Sequence, residues 1–85
     1  MDGQELTRRM KEALESVIGT VSIKIEDHTT FMQQLGMDYL DLIEYEMELE
    51  EVFGITVETE PDIETVGTFG ELKTIVERKL KEAGR

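Results

Sequence analysis

The chain has 85 residues, with 20 Asp and Glu against nine Lys and Arg, a formal net charge of −11 and no cysteine. So short a chain builds one core, so residues 1–85 form a single domain; its charge repels nucleic acid and anionic membranes and is complementary to a basic partner surface. Without cysteine there are no disulfides, no thiolate catalysis and no soft metal ligation, and with neither a signal-peptide apolar run nor the roughly 20 apolar residues of a membrane span, a cytoplasmic protein is expected.

Leu6, Met10, Ala13, Leu14, Val17 and Ile18 recur with the spacing of one helical face, and Gly19 follows as a terminator, which predicts a first helix. Val21, Ile23 and Ile25 then alternate as in a strand. A lone strand has nothing to pair with, so an ordered loop that tucks its isoleucines into the core is expected instead. Phe31 to Leu35 are expected to form a helical turn ending at Gly36, and Asp38 stands in an N-cap position.

A long helix from about Tyr39 to Phe53 follows and is closed by Gly54. Ile55 and Val57 anchor the next loop, and Pro61 with Asp62 is expected to open one short helical turn before Gly67. Thr68 and Glu71 have the spacing of a capping box. Leu72, Ile75, Val76 and Leu80 make the apolar stripe of a last helix ending near Ala83, and Lys79, Lys81 and Arg85 suit its negative end. The whole is an all-α domain of three longer helices and one short one, joined by long ordered loops.

On a helical wheel at roughly 100° per residue, positions 39–53 carry two apolar arcs. Leu42, Tyr45, Leu49, Val52 and Phe53 form the larger, assigned to the core. Leu40, Ile43 and Met47 form the second, with Asp41, Glu44, Glu48 and Glu51 on one side and Glu46 and Glu50 on the other. Spacing alone leaves open whether this strip packs against the loops or faces a partner. The six carboxylates have no Lys or Arg among them and repel one another by a few tenths of a kcal/mol per adjacent pair, a cost that a basic partner would relieve.

His28 is the only histidine, so neither a Ser-His-Asp arrangement nor a histidine-based metal site can be assembled, and it reads as a surface loop residue. The acidic residues do not follow the spacing of a calcium loop, and Gly36, Gly54, Gly67 and Gly70 are dispersed rather than gathered into a phosphate-binding loop. No catalytic residues and no metal are expected.

Phe31, Leu35-Gly36, Asp38, Leu40-Asp41, Glu44, Leu49-Glu50-Glu51, Phe53, Ile55 and Val57, within FMQQLGMDYLDLIEYEMELEEVFGITV, carry a pattern that resembles the acyl carrier protein family. The resemblance implies an acyl-carrier-protein-like four-helix bundle. In that family the serine of an Asp-Ser-Leu tripeptide at the start of the second helix carries 4'-phosphopantetheine, whereas the tripeptide here is Asp38-Tyr39-Leu40. Tyr39 thus stands at the cofactor-binding position and is expected to remain unmodified, because its hydroxyl is displaced outward by a ring; Ser16 and Ser22 lie far from the motif. No cofactor is expected.

The resemblance also makes the second helix a docking surface for basic faces of acyl-metabolism enzymes. Asp38, Leu40, Asp41, Ile43, Glu44, Met47, Glu48, Glu50 and Glu51 are the candidate partner-docking residues, and the strip is then expected to be exposed. The function implied is an acyl-carrier-like module of fatty-acid, lipid or related acyl metabolism, monomeric, that docks without carrying the prosthetic group. The alternative is a working acyl carrier protein whose attachment site is atypical, or in which a serine naturally stands at 39.

Overall fold

The computed structural model describes residues 1–57 and 67–84. Three α-helices are found among them: α1 (Gly3–Ile18), α2 (Tyr39–Phe53) and α3 (Phe69–Glu82). The short helical turn expected at Pro61 and Asp62, and the cationic end at Arg85, lie outside the described residues.

Each helix begins where a side chain can accept the free backbone N–H groups of its first turn. Asp2 accepts from the Glu5 N–H at 2.8 Å. Asp38 accepts from the Asp41 N–H at 2.8 Å while its own N–H donates back to the Asp41 carboxylate at 3.1 Å, a reciprocal box that sets the start of α2. Thr68 accepts from the Glu71 N–H at 3.2 Å, and the Glu71 carboxylate accepts from the Thr68 hydroxyl and from the Gly67 N–H. Gly54 ends α2 in the left-handed conformation, φ 65°, and donates to the Glu50 carbonyl at 2.9 Å, a geometry that needs no side chain.

The core lies where the three helices meet. Leu6, Met10, Ala13 and Leu14 of α1, Leu42, Tyr45, Leu49 and Phe53 of α2, and Phe69, Leu72, Val76 and Leu80 of α3 are all buried in one cluster. Ile25, Phe31, Met37, Ile55 and Val57 join them from the loops, so the long connections are part of the core. The Phe31 and Tyr45 rings pack edge to face, with centroids 6.0 Å apart at 70°.

A clasp fixes the first loop to the start of α3. Phe31 N–H donates to the Gly67 carbonyl at 3.1 Å, Phe69 N–H to Thr29 at 2.9 Å and Gly70 N–H to Asp27 at 2.8 Å, around an isolated antiparallel bridge between Thr30 and Thr68. Lys73 adds an ion pair to Asp27 at 2.7 Å.

Four expectations are corrected. Residues 31–35 form a hydrogen-bonded turn and not a helical one, closed by bonds from Leu35 to Thr30 and from Met37 to Phe31. Ile25 enters the core but Ile23 is exposed, because the chain bends at Ile23 and breaks the two-residue alternation. Val52, expected in the core, is exposed, and Glu46, expected on the acidic surface, is fully buried. These two residues sit at opposite edges of the buried arc of α2, and the arc is rotated so that position 46 faces inward and position 52 faces a surface groove beside α1.

Candidate docking site on the second helix

The capping box between Asp38 and Asp41 fixes the first turn of α2 and with it the direction in which Tyr39 and Leu40 leave the helix. Both are exposed, Tyr39 by 47% and Leu40 by 66%, as is Met47 about two turns on, by 59%. Ile43 lies between them, half-buried. Spacings of three and four residues place these side chains on one face. Apolar surface of this size left in water forfeits about 25 cal/mol for each Å² that a partner would cover.

Asp41, Glu44, Glu48 and Glu51 run along one side of this strip, with Glu44 and Glu51 exposed and Asp41 and Glu48 half-buried. Among the described residues no lysine or arginine pairs with any of the four. Arg8 bonds Glu5 and Glu12 within α1, Lys73 bonds Asp27, and Lys24 lies 3.5 Å from Glu26. These cations are paired with other carboxylates, and Asp41–Glu44, Glu44–Glu48 and Glu48–Glu51 remain as like-charge neighbours.

The opposite side of the strip differs from the sequence reading. Glu46 is inside the protein. Glu50 is half-buried, and its carboxylate accepts a 2.8 Å hydrogen bond from the Val57 N–H, so it holds the chain that leaves α2. The acidic border is therefore heavier on the side of Asp41, Glu44, Glu48 and Glu51, with Glu50 alone opposite. Periodicity could not show this, since the bond joins residues seven apart across a glycine turn.

The two tyrosines of the chain have contrasting surroundings. Tyr45 is fully buried, its hydroxyl donates to the Met10 carbonyl at 2.8 Å, and burial pushes its ionisation far above the ordinary phenol range. The Tyr39 hydroxyl makes no hydrogen bond to a described residue, and its ring stands half in solvent. Beside α1, Arg8, Arg9, Glu48 and Val52 line a surface groove of about 420 Å³, and the Arg9 guanidinium lies 5.5 Å from the centre of the Phe53 ring. A second groove, of about 430 Å³, runs between the end of α1 and the 34–37 segment and reaches Asp41. Tyr39 lines neither. His28 is largely exposed, with Nε2 3.3 Å from the Glu26 carboxylate.

Three helices with cored loops, a capped second helix and an acidic-edged apolar strip on it define a small helical carrier-type domain. A family model described as "Phosphopantetheine attachment site" matches residues 8–81. The chain is 34% identical over 85 residues to the acyl carrier protein of Saccharopolyspora erythraea, covering 98% of this chain and 90% of that one. It is 32% identical over 80 residues to the acyl carrier protein of an Exiguobacterium species, covering 94% and 100%, and 27% identical over 77 residues to that of Thermotoga maritima, covering 91% and 94%. The chain belongs to the acyl carrier protein family, whose members are carriers and not enzymes. None of the described helices is long and apolar enough to cross a membrane.

Proposed function

We propose that this chain is an acyl-carrier-family protein that does not carry 4'-phosphopantetheine and that acts by docking α2 onto basic surfaces of enzymes of acyl metabolism. The observation that carries the reading is the conjunction of a phenol at position 39 with an exposed strip of Leu40, Ile43 and Met47 beside carboxylates that no described cation neutralises. The prosthetic group needs a short-stemmed alkyl hydroxyl that can reach a bound pyrophosphate. Tyr39 offers a hydroxyl carried outward by a ring, and a 1 Å misplacement of a reacting atom is enough to cost about 10²-fold in rate. An aryl phosphodiester would also leave more readily than an alkyl one, because a phenol is the stronger acid.

Asp38 and Asp41 serve the helix cap and present charge at its edge at the same time, while Glu44, Glu48 and Glu51 extend that charge along α2. A basic enzyme face that covers the strip relieves the repulsion among them and buries Leu40 and Met47. The protein acts as a monomer in the cytoplasm in this reading.

The family match itself favours one other reading, a working carrier with an atypical attachment site. Intact-mass measurement separates the two. The protein and a Tyr39→Ser variant are incubated with coenzyme A and a broad-specificity phosphopantetheinyl transferase. The expected outcome is an unmodified native chain and one phosphopantetheine on Tyr39→Ser; an adduct on the native chain would overturn the proposal.

A further inference from the structure

Tyr39 stands half exposed at the position where the family attaches its prosthetic group. We propose that Tyr39 is a plug: on docking, its ring enters the mouth of the channel through which a carrier-dependent enzyme draws in a phosphopantetheine arm, so that this chain competes with arm-loaded carriers. The inference rests on the docking reading above and specifies the partner's chemistry, an apolar channel mouth rimmed by Lys or Arg.

An arm is attached at the docking surface itself, so an enzyme that uses it must open a channel opposite the attachment point. Whatever side chain stands at that point meets the channel first. Here it is a ring with a polar tip, half exposed on a base held by the Asp38–Asp41 box. Tyrosine loses freedom about only two side-chain bonds on binding, and tyrosines are common anchors at interface centres. The arm joins short alkyl stretches to amide and hydroxyl groups, and a phenol likewise joins an apolar body to a polar tip.

Tyr45 and Tyr39 differ in what the described residues offer them. Tyr45 fills the core and satisfies its hydroxyl on Met10, whereas Tyr39 contributes neither a buried ring nor a hydrogen bond to a described residue. Ile43 and Met47 continue the same face behind it, so a partner that admits the ring also covers the strip. Asp41, Glu44, Glu48 and Glu51 along its edge complement a basic rim.

The test uses a β-ketoacyl synthase with its own arm-loaded acyl carrier protein as substrate. The native chain and its Tyr39→Phe, Tyr39→Ala and Glu44→Lys variants are added as competitors, and each is also titrated directly against the synthase at low salt. The native chain is expected to raise the apparent KM for the loaded carrier and leave kcat unchanged. Tyr39→Phe should inhibit nearly as well, while Tyr39→Ala and Glu44→Lys should each weaken inhibition by about tenfold or more, the scale of an interface anchor. Inhibition by Tyr39→Ala equal to the native chain's, or native binding without inhibition, overturns the plug and leaves the docking reading standing. If the native chain does not bind the synthase in direct titration, both fall together.

Discussion

The Tyr45 hydroxyl donates a 2.8 Å hydrogen bond to the backbone carbonyl of Met10, across the buried seam between α2 and α1. It ties the middle of the second helix to the middle of the first at a point no water reaches, and it gives a phenol in the core the partner that burial demands.

Tyr45→Phe keeps the ring packed on Phe31 and removes only this bond, so a loss of about 1 kcal/mol is expected, read as a lower urea midpoint with an unchanged slope. The same residue sets an alkaline limit. Burial raises the phenol's ionisation in the folded state, so below the unfolded value near 10 both states hold the proton and nothing is lost. Above it the unfolded chain gives up its proton and the folded one keeps it, and stability falls by up to about 1.4 kcal/mol per pH unit. Urea midpoints from pH 9 to 11 should fall more steeply for the native chain than for Tyr45→Phe.

Glu44→Lys should separate stability from recognition. It converts the like-charge neighbours Asp41 and Glu48 into opposite-charge ones, which should stabilise the protein by roughly 0.5–1 kcal/mol at low salt. The same change places a cation in the middle of the proposed docking edge and should weaken salt-sensitive partner binding by about tenfold or more. Thermal melts at low and high salt, alongside a binding titration, read both effects.

Gly70→Ala should destabilise the protein although alanine is the better helix former by about 1 kcal/mol. A Cβ at position 70 would stand 2.8 Å from the Asp27 carbonyl oxygen and 2.9 Å from the Asp27 Cβ, within the clasp that joins the first loop to α3. Overpacking of this kind costs about 1–3 kcal/mol. The expected signature is a lower urea midpoint with faster hydrogen exchange at the amides of Phe69 and residue 70, which donate to Thr29 and Asp27.

Asp38→Ala removes the acceptor for the Asp41 N–H and should cost about 1 kcal/mol. If the cap also orients Tyr39, this variant should weaken docking beyond what the loss of one charge explains, and Asp38→Asn, which keeps an acceptor, should recover the stability and most of the binding. Paired melts and titrations of the two variants check this.

The boundaries of the helices were legible in the chain because they are local. Asp38 before Tyr39, Gly54 after Phe53 and the Thr68–Glu71 spacing each act within a few residues, and the structure starts or stops a helix at all three. Leu42, Tyr45, Leu49 and Phe53 were readable as core for the same reason, since they sit well inside one arc of α2. The exposed strip of Leu40 and Met47 was visible as a second arc, but spacing left open whether a loop covered it.

What only the tertiary structure decided lies at the edges of those arcs and in bonds between distant segments. Whether Glu46 or Val52 goes inside depends on the side from which the rest of the chain closes over α2, and neighbouring wheel positions carry no record of that. Glu50 became a support for Val57, and Asp27 the contact of Gly70, through chain segments brought together by the fold. The sequence by itself determined a carrier-family helical domain with an acidic second helix and a tyrosine at its start. The fold decided that Tyr39 stands half exposed while Tyr45 is buried and hydrogen-bonded, because burial is a property of the assembled surfaces and not of either residue's neighbours in the chain.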